Sequence, residues 1–253
     1  MVEFERDGAV ARIFLNRPHK ANALDSAMLD ALAAALETAA ADETLHVVVL
    51  GGRGAAFCGG ADIHELGALD RDSAREFIGR VHRACDAARK VPVPVVVRLH
   101  GAVIGAGLEL AAACDLRVAA RGTRFAMPEV RLAIPSVVEA ALLPRLVGCG
   151  RAAWLVLTGQ AIDAERACEW GLVETLAEAA ALDHAVSGVV DSLLAADRAA
   201  LRAQKALLHM WQEAPLGASI AASVERFAQA YAGGAPNKVI RNTISRAKGP
   251  REH

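Results

Sequence analysis

Gly101-Ala102-Val103-Ile104-Gly105-Ala106-Gly107-Leu108-Glu109-Leu110 follows a mostly β-branched run, Val93 to Val97, and leads into a small-residue apolar stretch, Leu110 to Cys114. The order reads as strand, glycine turn, helix. Gly105 and Gly107 carry no side chain, so backbone N–H groups there can approach a ligand closely. A helix starting at this point leaves its first N–H groups unpaired and partly positive, with Glu109 in the first turn beside them. Backbone donors next to a carboxylate can polarise a carbonyl and move a proton. A glycine turn before a helix with an acidic first turn also has a purely structural explanation, so the stretch does not decide alone. It is not a dinucleotide fingerprint, because Leu110 stands where the third glycine of G-x-G-x-x-G is required. Nor is it a P-loop, since no G-K-[ST] follows.

A second glycine-rich loop, Phe57-Cys58-Gly59-Gly60-Ala61-Asp62-Ile63, follows the short apolar strand Val47 to Leu50. Two such loops, each after an expected strand, suit an oxyanion hole made of two backbone N–H groups on separate segments. Downstream, Pro128 fixes the backbone before Glu129. Ile134-Pro135-Ser136 opens an expected helix that Gly148 ends. Glu139 lies inside it, on a solvated face by the usual rule for helical glutamates, or as a third carboxylate if the helix points into a cleft.

Elsewhere, Val2 to Leu15 alternates around Asp7-Gly8 and reads as a hairpin. Helices are expected at Ala27 to Ala41, behind an Asp25-Ser26 cap, and at Ser73 to Lys90. A strand is expected at Leu116 to Ala120, with short helices at Leu155 to Gly159 and Ile162 to Gly171. From Leu182 the pattern is helical throughout, with helices at Leu182–Ala196, Arg198–Met210, Ser219–Tyr231 and Val239–Arg246, and frayed residues from Lys248 to His253. The change from alternating strands and helices to helices alone divides the chain into 1–190 and 191–253.

The 253 residues are 54% hydrophobic and 23% charged, which suits one large domain with an appended helical segment. A net charge of −1 gives no electrostatic case for nucleic acid or an anionic membrane, and 4% aromatics make a base-stacking surface improbable. No apolar window is long enough for a bilayer, and Met1 to Asp7 lacks a signal-peptide core, so a cytoplasmic location is expected. Cys58, Cys85, Cys114, Cys149 and Cys168 form no C-x-x-C pair, and no H-E-x-x-H occurs. Buried reduced thiols and no metal site are expected. No G-x-S-x-G elbow appears.

In order along the chain, Asn16-Arg17-Pro18, Asn22-Ala23-Leu24, Phe57 to Ile63, Gly101 to Asp115 (G-x-x-x-G-x-G-x-E-L-x-x-x-C-D), Pro128-Glu129-Val130, Leu157-Thr158-Gly159 and Gly171-Leu172-Val173 resemble the crotonase (enoyl-CoA hydratase/isomerase) superfamily. Each motif is weak, but the ordered set, spanning about 10 to 175, is specific. The resemblance implies an α/β fold, a crotonase-like spiral of repeated ββα units with a helical C-terminal region. It implies an acyl-CoA thioester substrate, no cofactor, and a homotrimer or dimer of trimers formed through the C-terminal helices. By the same resemblance the oxyanion hole falls on the N–H groups of Ala61 and Ala106, and the catalytic glutamates on Glu109 and Glu129. Coenzyme A contacts fall on Lys20, Ala21, Ala23, Ala61, Asp62 and Ile63.

The family's hydratases usually continue from Pro-Glu to a glycine-rich turn, P-G-x-G-G. Here Ser136, Val137, Val138 and Glu139 replace those small residues in a segment one residue shorter. Ile134, Ser136, Val137 and Glu139 are thus the acyl-pocket candidates. His100 stands where the family often has asparagine. The resemblance points first to an enoyl-CoA hydratase, because both glutamates are present. A double-bond isomerase using the same oxyanion hole is the alternative, followed by a non-catalytic acyl-CoA or RNA binding protein.

Overall fold

The computed structural model describes residues 1–232 and 234–247. The alternation around Asp7-Gly8 folds as expected: β1 (Val2–Asp7) pairs antiparallel with β2 (Val10–Leu15). Asp25 accepts a hydrogen bond from the Met28 N–H at 2.8 Å and so caps α1 (Ser26–Ala41), whose Met28, Leu29, Leu32 and Leu36 are buried on one face. There follow β3 (Val47–Gly52), the short α2 (Ile63–Leu66) and α3 (Arg71–Lys90), which a capping box of Asp70 and Ser73 starts. Next come β4 (Val95–Leu99), β5 (Ala102–Ile104), α4 (Ala106–Ala113), β6 (Leu116–Ala120) and β7 (Arg124–Ala126). Then α5 (Leu143–Val147), α6 (Cys149–Thr158), β8 (Ile162–Asp163), α7 (Ala164–Glu169), β9 (Thr175–Ala177) and α8 (Leu182–Leu194) complete the first unit.

Two extended segments and then a helix form the repeat: β1-β2-α1, β4-β5-α4, β6-β7-α5. Both strands of the first repeat and the first strands of the later two, with β3 and β9, build one six-stranded sheet in the order β1-β2-β3-β4-β6-β9, parallel from β2 onward. The second strands β5 and β7, with β8, build a smaller sheet in the order β5-β7-β8, which Cys58 joins through an isolated bridge to Val103. Side-chain alternation splits the large sheet between two cores. Val48, Leu50, Val95, Val97 and Leu99 face α1, α3 and α4, whereas Val47, Val49 and Val96 join Leu182, Val186 and Val190 of α8.

The structure corrects several local expectations. The strand–turn–helix around Gly101 holds an extra strand, β5, which pairs with β7 and is bridged by Cys58. The helix expected from Ile134 to Gly148 is not continuous. Residues 134–137 are irregular, and a 3-10 turn (Val138–Leu142) precedes α5, because Val137 is extended and Val138 sits at φ +40°. The two short helices at 155–159 and 162–171 are in fact the C-terminal half of α6, then β8 and α7.

Two compact units divide between Ala196 and Asp197, whereas position 190 lies inside α8. The second unit carries α9 (Arg198–Glu213), α10 (Leu216–Ala230) and α11 (Ala235–Ala247). The expected frayed residues 248–253 lie outside the described residues. Of the five thiols, all free, Cys58, Cys85 and Cys114 are buried but Cys149 is exposed and Cys168 half-buried. No single helix among the described residues is long and apolar enough to cross a membrane.

Candidate active site

The two glycine loops lie side by side. The Cys58 N–H donates to Ala102 O at 3.0 Å and the Ile104 N–H to Cys58 O at 3.1 Å. A Cβ added at Gly107 would meet Cys58 Cβ at 2.7 Å, so only glycine lets the first turn of α4 approach this closely. Ala106 is the first residue of α4, with no preceding turn to accept its N–H. Across the gap, Leu24 and Ala61 form an isolated parallel bridge. Its bonds are Leu24 N–H to Gly60 O and Asp62 N–H to Leu24 O, which leaves the Ala61 N–H outside the bridge. The two expected oxyanion donors therefore sit on adjoining segments.

Buried Asn22 ties the 57–63 loop down. Its carbonyl accepts from the Arg17 N–H at 2.8 Å, and its amide donates to Arg53 O, Ala56 O and Phe57 O. Its backbone is left-handed, φ +56°, a conformation asparagine tolerates. Of the coenzyme A candidates, Lys20 and Ala21 are exposed at a 3-10 turn (Pro18–Lys20), Ala23 is half-buried, and Ile63 is 66% exposed at the start of α2. The Gly59 N–H donates to Ala21 O at 2.8 Å, which brings these residues to one edge with Ala61. Asp62 is buried and occupied. Its Oδ2 pairs with the Arg17 guanidinium at 2.6 Å and its Oδ1 caps α2 through the His64 N–H, and the Arg17 bond above all holds its carboxyl below the usual range. Arg17 belongs to the Asn16-Arg17-Pro18 motif; its pairing with Asp62, 45 residues away, has no local signature.

Glu109 points inward from the first turn of α4 and is buried. Burial first, then the charges of Glu129 and Glu139, push its pKa up to about 8, with the Ala140 and Val137 N–H groups acting in the opposite sense. Glu129 begins a 3-10 turn (Glu129–Leu132) and reaches back to the start of α4, where its Oε1 fills the space a Cβ on Gly105 would need. Ser136, expected in the acyl pocket, donates its hydroxyl to Glu129 Oε2 at 2.9 Å. Ile134 and Val137 are each 39% exposed.

Glu139 is not on a solvated face. It is 5% exposed, with Oε1 2.8 Å from His82 Nδ1 on α3 and Oε2 unpartnered among the described residues. The break of the expected helix at Val138 turns it inward. Nothing in the sequence marked His82, 57 positions away. His100, half-buried, bonds the Gly54 carbonyl and the Arg98 guanidinium, and burial lowers its pKa. No group of three or more His, Cys, Asp or Glu among the described residues is arranged to hold a metal ion.

The ββα repeats bring Glu109, Glu129 and the Ala106 N–H to the start of α4, with Ala61 on an adjoining segment. The sequence matches the enoyl-CoA hydratase/isomerase family over residues 5–234, and the chain belongs to that family. It is 31% identical to the short-chain-enoyl-CoA hydratase of Clostridium acetobutylicum over 91% of this chain and 89% of that one. It is equally 31% identical to the trans-2-decenoyl-[acyl-carrier-protein] isomerase of Streptococcus mutans, over 83% of this chain and 81% of that one. Its fold superposes on a crystal structure of an enoyl-CoA hydratase from Mycobacterium smegmatis with TM-score 0.94 at 32% identity, covering 97% and 96% of the two chains.

Proposed function

We propose that this enzyme adds water across the 2,3 double bond of a 2-enoyl-CoA thioester. The observation that carries this reading is the pair Glu109 and Glu129 at the start of α4, close enough that the charge of one raises the pKa of the other. The thioester oxygen binds the N–H groups of Ala61 and Ala106, which stabilise the enolate-like charge as oxygen bonds to C3. One such donor is worth about 10²–10³ in rate. Glu109 and Glu129 hold the water between them. Glu109 takes a proton from it and Glu129 delivers one to C2, general acid–base work worth about 10²–10⁴. The thioester itself takes up the developing charge, so the reading invokes no metal or redox cofactor. Lys20, Ala21, Ala23 and Ile63 serve the coenzyme A moiety. The exposed apolar side chains of Ile134 and Val137 serve the acyl group.

The isomerase is the second reading. The Ser136 bond to Glu129 replaces the hydratases' glycine turn and suits a single carboxylate carrying a proton between C2 and C4. Crotonyl-CoA should lose its conjugated thioester absorbance with wild type and keep it with the Glu109→Gln/Glu129→Gln double variant. Gain of that band from a 3-enoyl-CoA, with crotonyl-CoA untouched, would replace the hydratase by the isomerase.

The same reading gives residues 191–253 the role of joining subunits into a trimer or a dimer of trimers. Trp211, Leu216, Ile220, Val224 and Phe227 line an apolar groove of about 720 Å³ in the second unit, which supports it. Light scattering of the full chain tests it, and a monomer at micromolar concentration would remove it.

A further inference from the structure

Glu139 is a carboxylate nine-tenths buried with one oxygen unpartnered, an arrangement that costs stability unless it serves something. The groups around it come from each element packed on its 3-10 turn. α3 contributes His82, in contact with Oε1, and Cys85, whose buried thiol is raised by burial and then by the charges of Glu139 and Glu109. α4 contributes Glu109, with Glu129 beyond it. α5 carries Arg145, which is exposed. His82 and Cys85, three apart on α3, share a face, so Glu139 sits between an exposed imidazole and the reacting carboxylates.

We propose that Glu139 is a positioning residue of this active site, a third carboxylate that acts through Glu109 by setting how readily Glu109 gives up its proton, with His82 anchoring it from the surface. The inference deepens the reading above and uses it only for the consequence in catalysis. A negative charge in a poorly solvated site disfavours a second one nearby, so Glu139 keeps Glu109 protonated to higher pH than burial alone would.

The test is a ¹³C NMR titration of the Glu109 side-chain carboxyl in the full-length protein without substrate, assigned by its loss in Glu109→Gln. Glu139→Gln and Glu139→Leu both remove the charge, and either one, read in the folded state, should lower the Glu109 midpoint by about one pH unit. His82→Gln keeps a donor for Glu139 Oε1 and should not lower it. A fall confined to the Glu139 variants supports the proposal, and the alkaline rise of kcat/KM should move down with it. No fall in the Glu139 variants, or an equal fall in His82→Gln, overturns it, since the first denies the coupling and the second reports loosened packing. A lowered midpoint with no hydration of any 2-enoyl-CoA would sink the hydratase reading and leave Glu139 in its role.

Discussion

The carboxylate of Glu129 occupies the space that a side chain at Gly105 would fill. Gly105 stands at φ +52° and ψ −122°, immediately before Ala106, so the same residue turns the chain into α4 and makes room for the acid. Gly105→Ala should therefore fail twice. The backbone would be strained by about 1–3 kcal/mol, and Glu129 would be displaced from the head of the helix. A misplacement of about 1 Å costs on the order of 10²-fold in rate, so kcat/KM should fall by at least that while the protein still folds. Denaturant melting and steady-state kinetics measure the two effects separately. A variant with wild-type kinetics would mean that Glu129 does not act from this position.

Ser136 tests the same carboxylate from the other side. Its hydroxyl donates to Glu129 Oε2 at 2.9 Å and holds that oxygen in place. A hydrogen bond to a charged group is worth about 1.5–3 kcal/mol, so Ser136→Ala should lower kcat roughly 10–100-fold if the bond orients Glu129 for proton delivery. KM should change little. A change in acyl preference with kcat intact would instead return Ser136 to the acyl pocket where the sequence placed it.

What the sequence revealed and what it hid divide along physical lines. The hairpin at Asp7-Gly8, the Asp25 cap and the valine strands are written in local periodicity, and each formed within a few residues of its expected bounds. So did the glycine turn with Glu109 in the first helical turn. Strand β5, three residues long, has no local signal and is held by its pairing with β7 and the bridge from Cys58. The segment from Ile134 to Gly148 has helical spacing, yet tertiary packing breaks it at Val138 and swings Glu139 from solvent into the core. The contacts of His82 with Glu139 and of Arg17 with Asp62 join residues 57 and 45 positions apart, and a one-dimensional pattern carries no trace of them.

Glu109 links activity and stability through pH. Its folded-state pKa, about 8, lies above the ordinary 4.5, so the native state keeps a proton that the unfolded chain releases. Between roughly pH 4.5 and 8 native stability must therefore fall as pH rises, and the loss is complete above the folded value. Glu109→Gln removes this penalty. Its unfolding free energy from denaturant melts should match wild type near pH 4 and exceed it at pH 9, by a margin on the order of several kcal/mol, while hydration is lost. In the wild type, a base role for Glu109 makes kcat/KM rise through about pH 8. A fall through the same range would make Glu109 the acid and exchange its role with that of Glu129.

Asn22 carries the loop that presents Ala61. Its fully buried amide serves one N–H and three carbonyls, and its left-handed backbone resists replacement by residues other than glycine. Asn22→Ala leaves those groups without their partner, at about 1–3 kcal/mol for each that water cannot reach, and adds strain at φ +56°. The expected result is a loss of at least about 3 kcal/mol in denaturant stability. Because Gly60 and Asp62 bond Leu24 only two residues further on, the slackened loop should also release the Ala61 N–H from its place. At a temperature where the variant is folded, kcat should then drop by about 10²-fold, the worth of one oxyanion donor. Asn22→Asp separates the two effects. It keeps the acceptor for the Arg17 N–H but turns the donor toward three carbonyls into a charge. It should be less stable than Asn22→Ala, and a more stable Asn22→Asp would show that the bond to the Arg17 N–H outweighs the repulsion between the new charge and the three carbonyls.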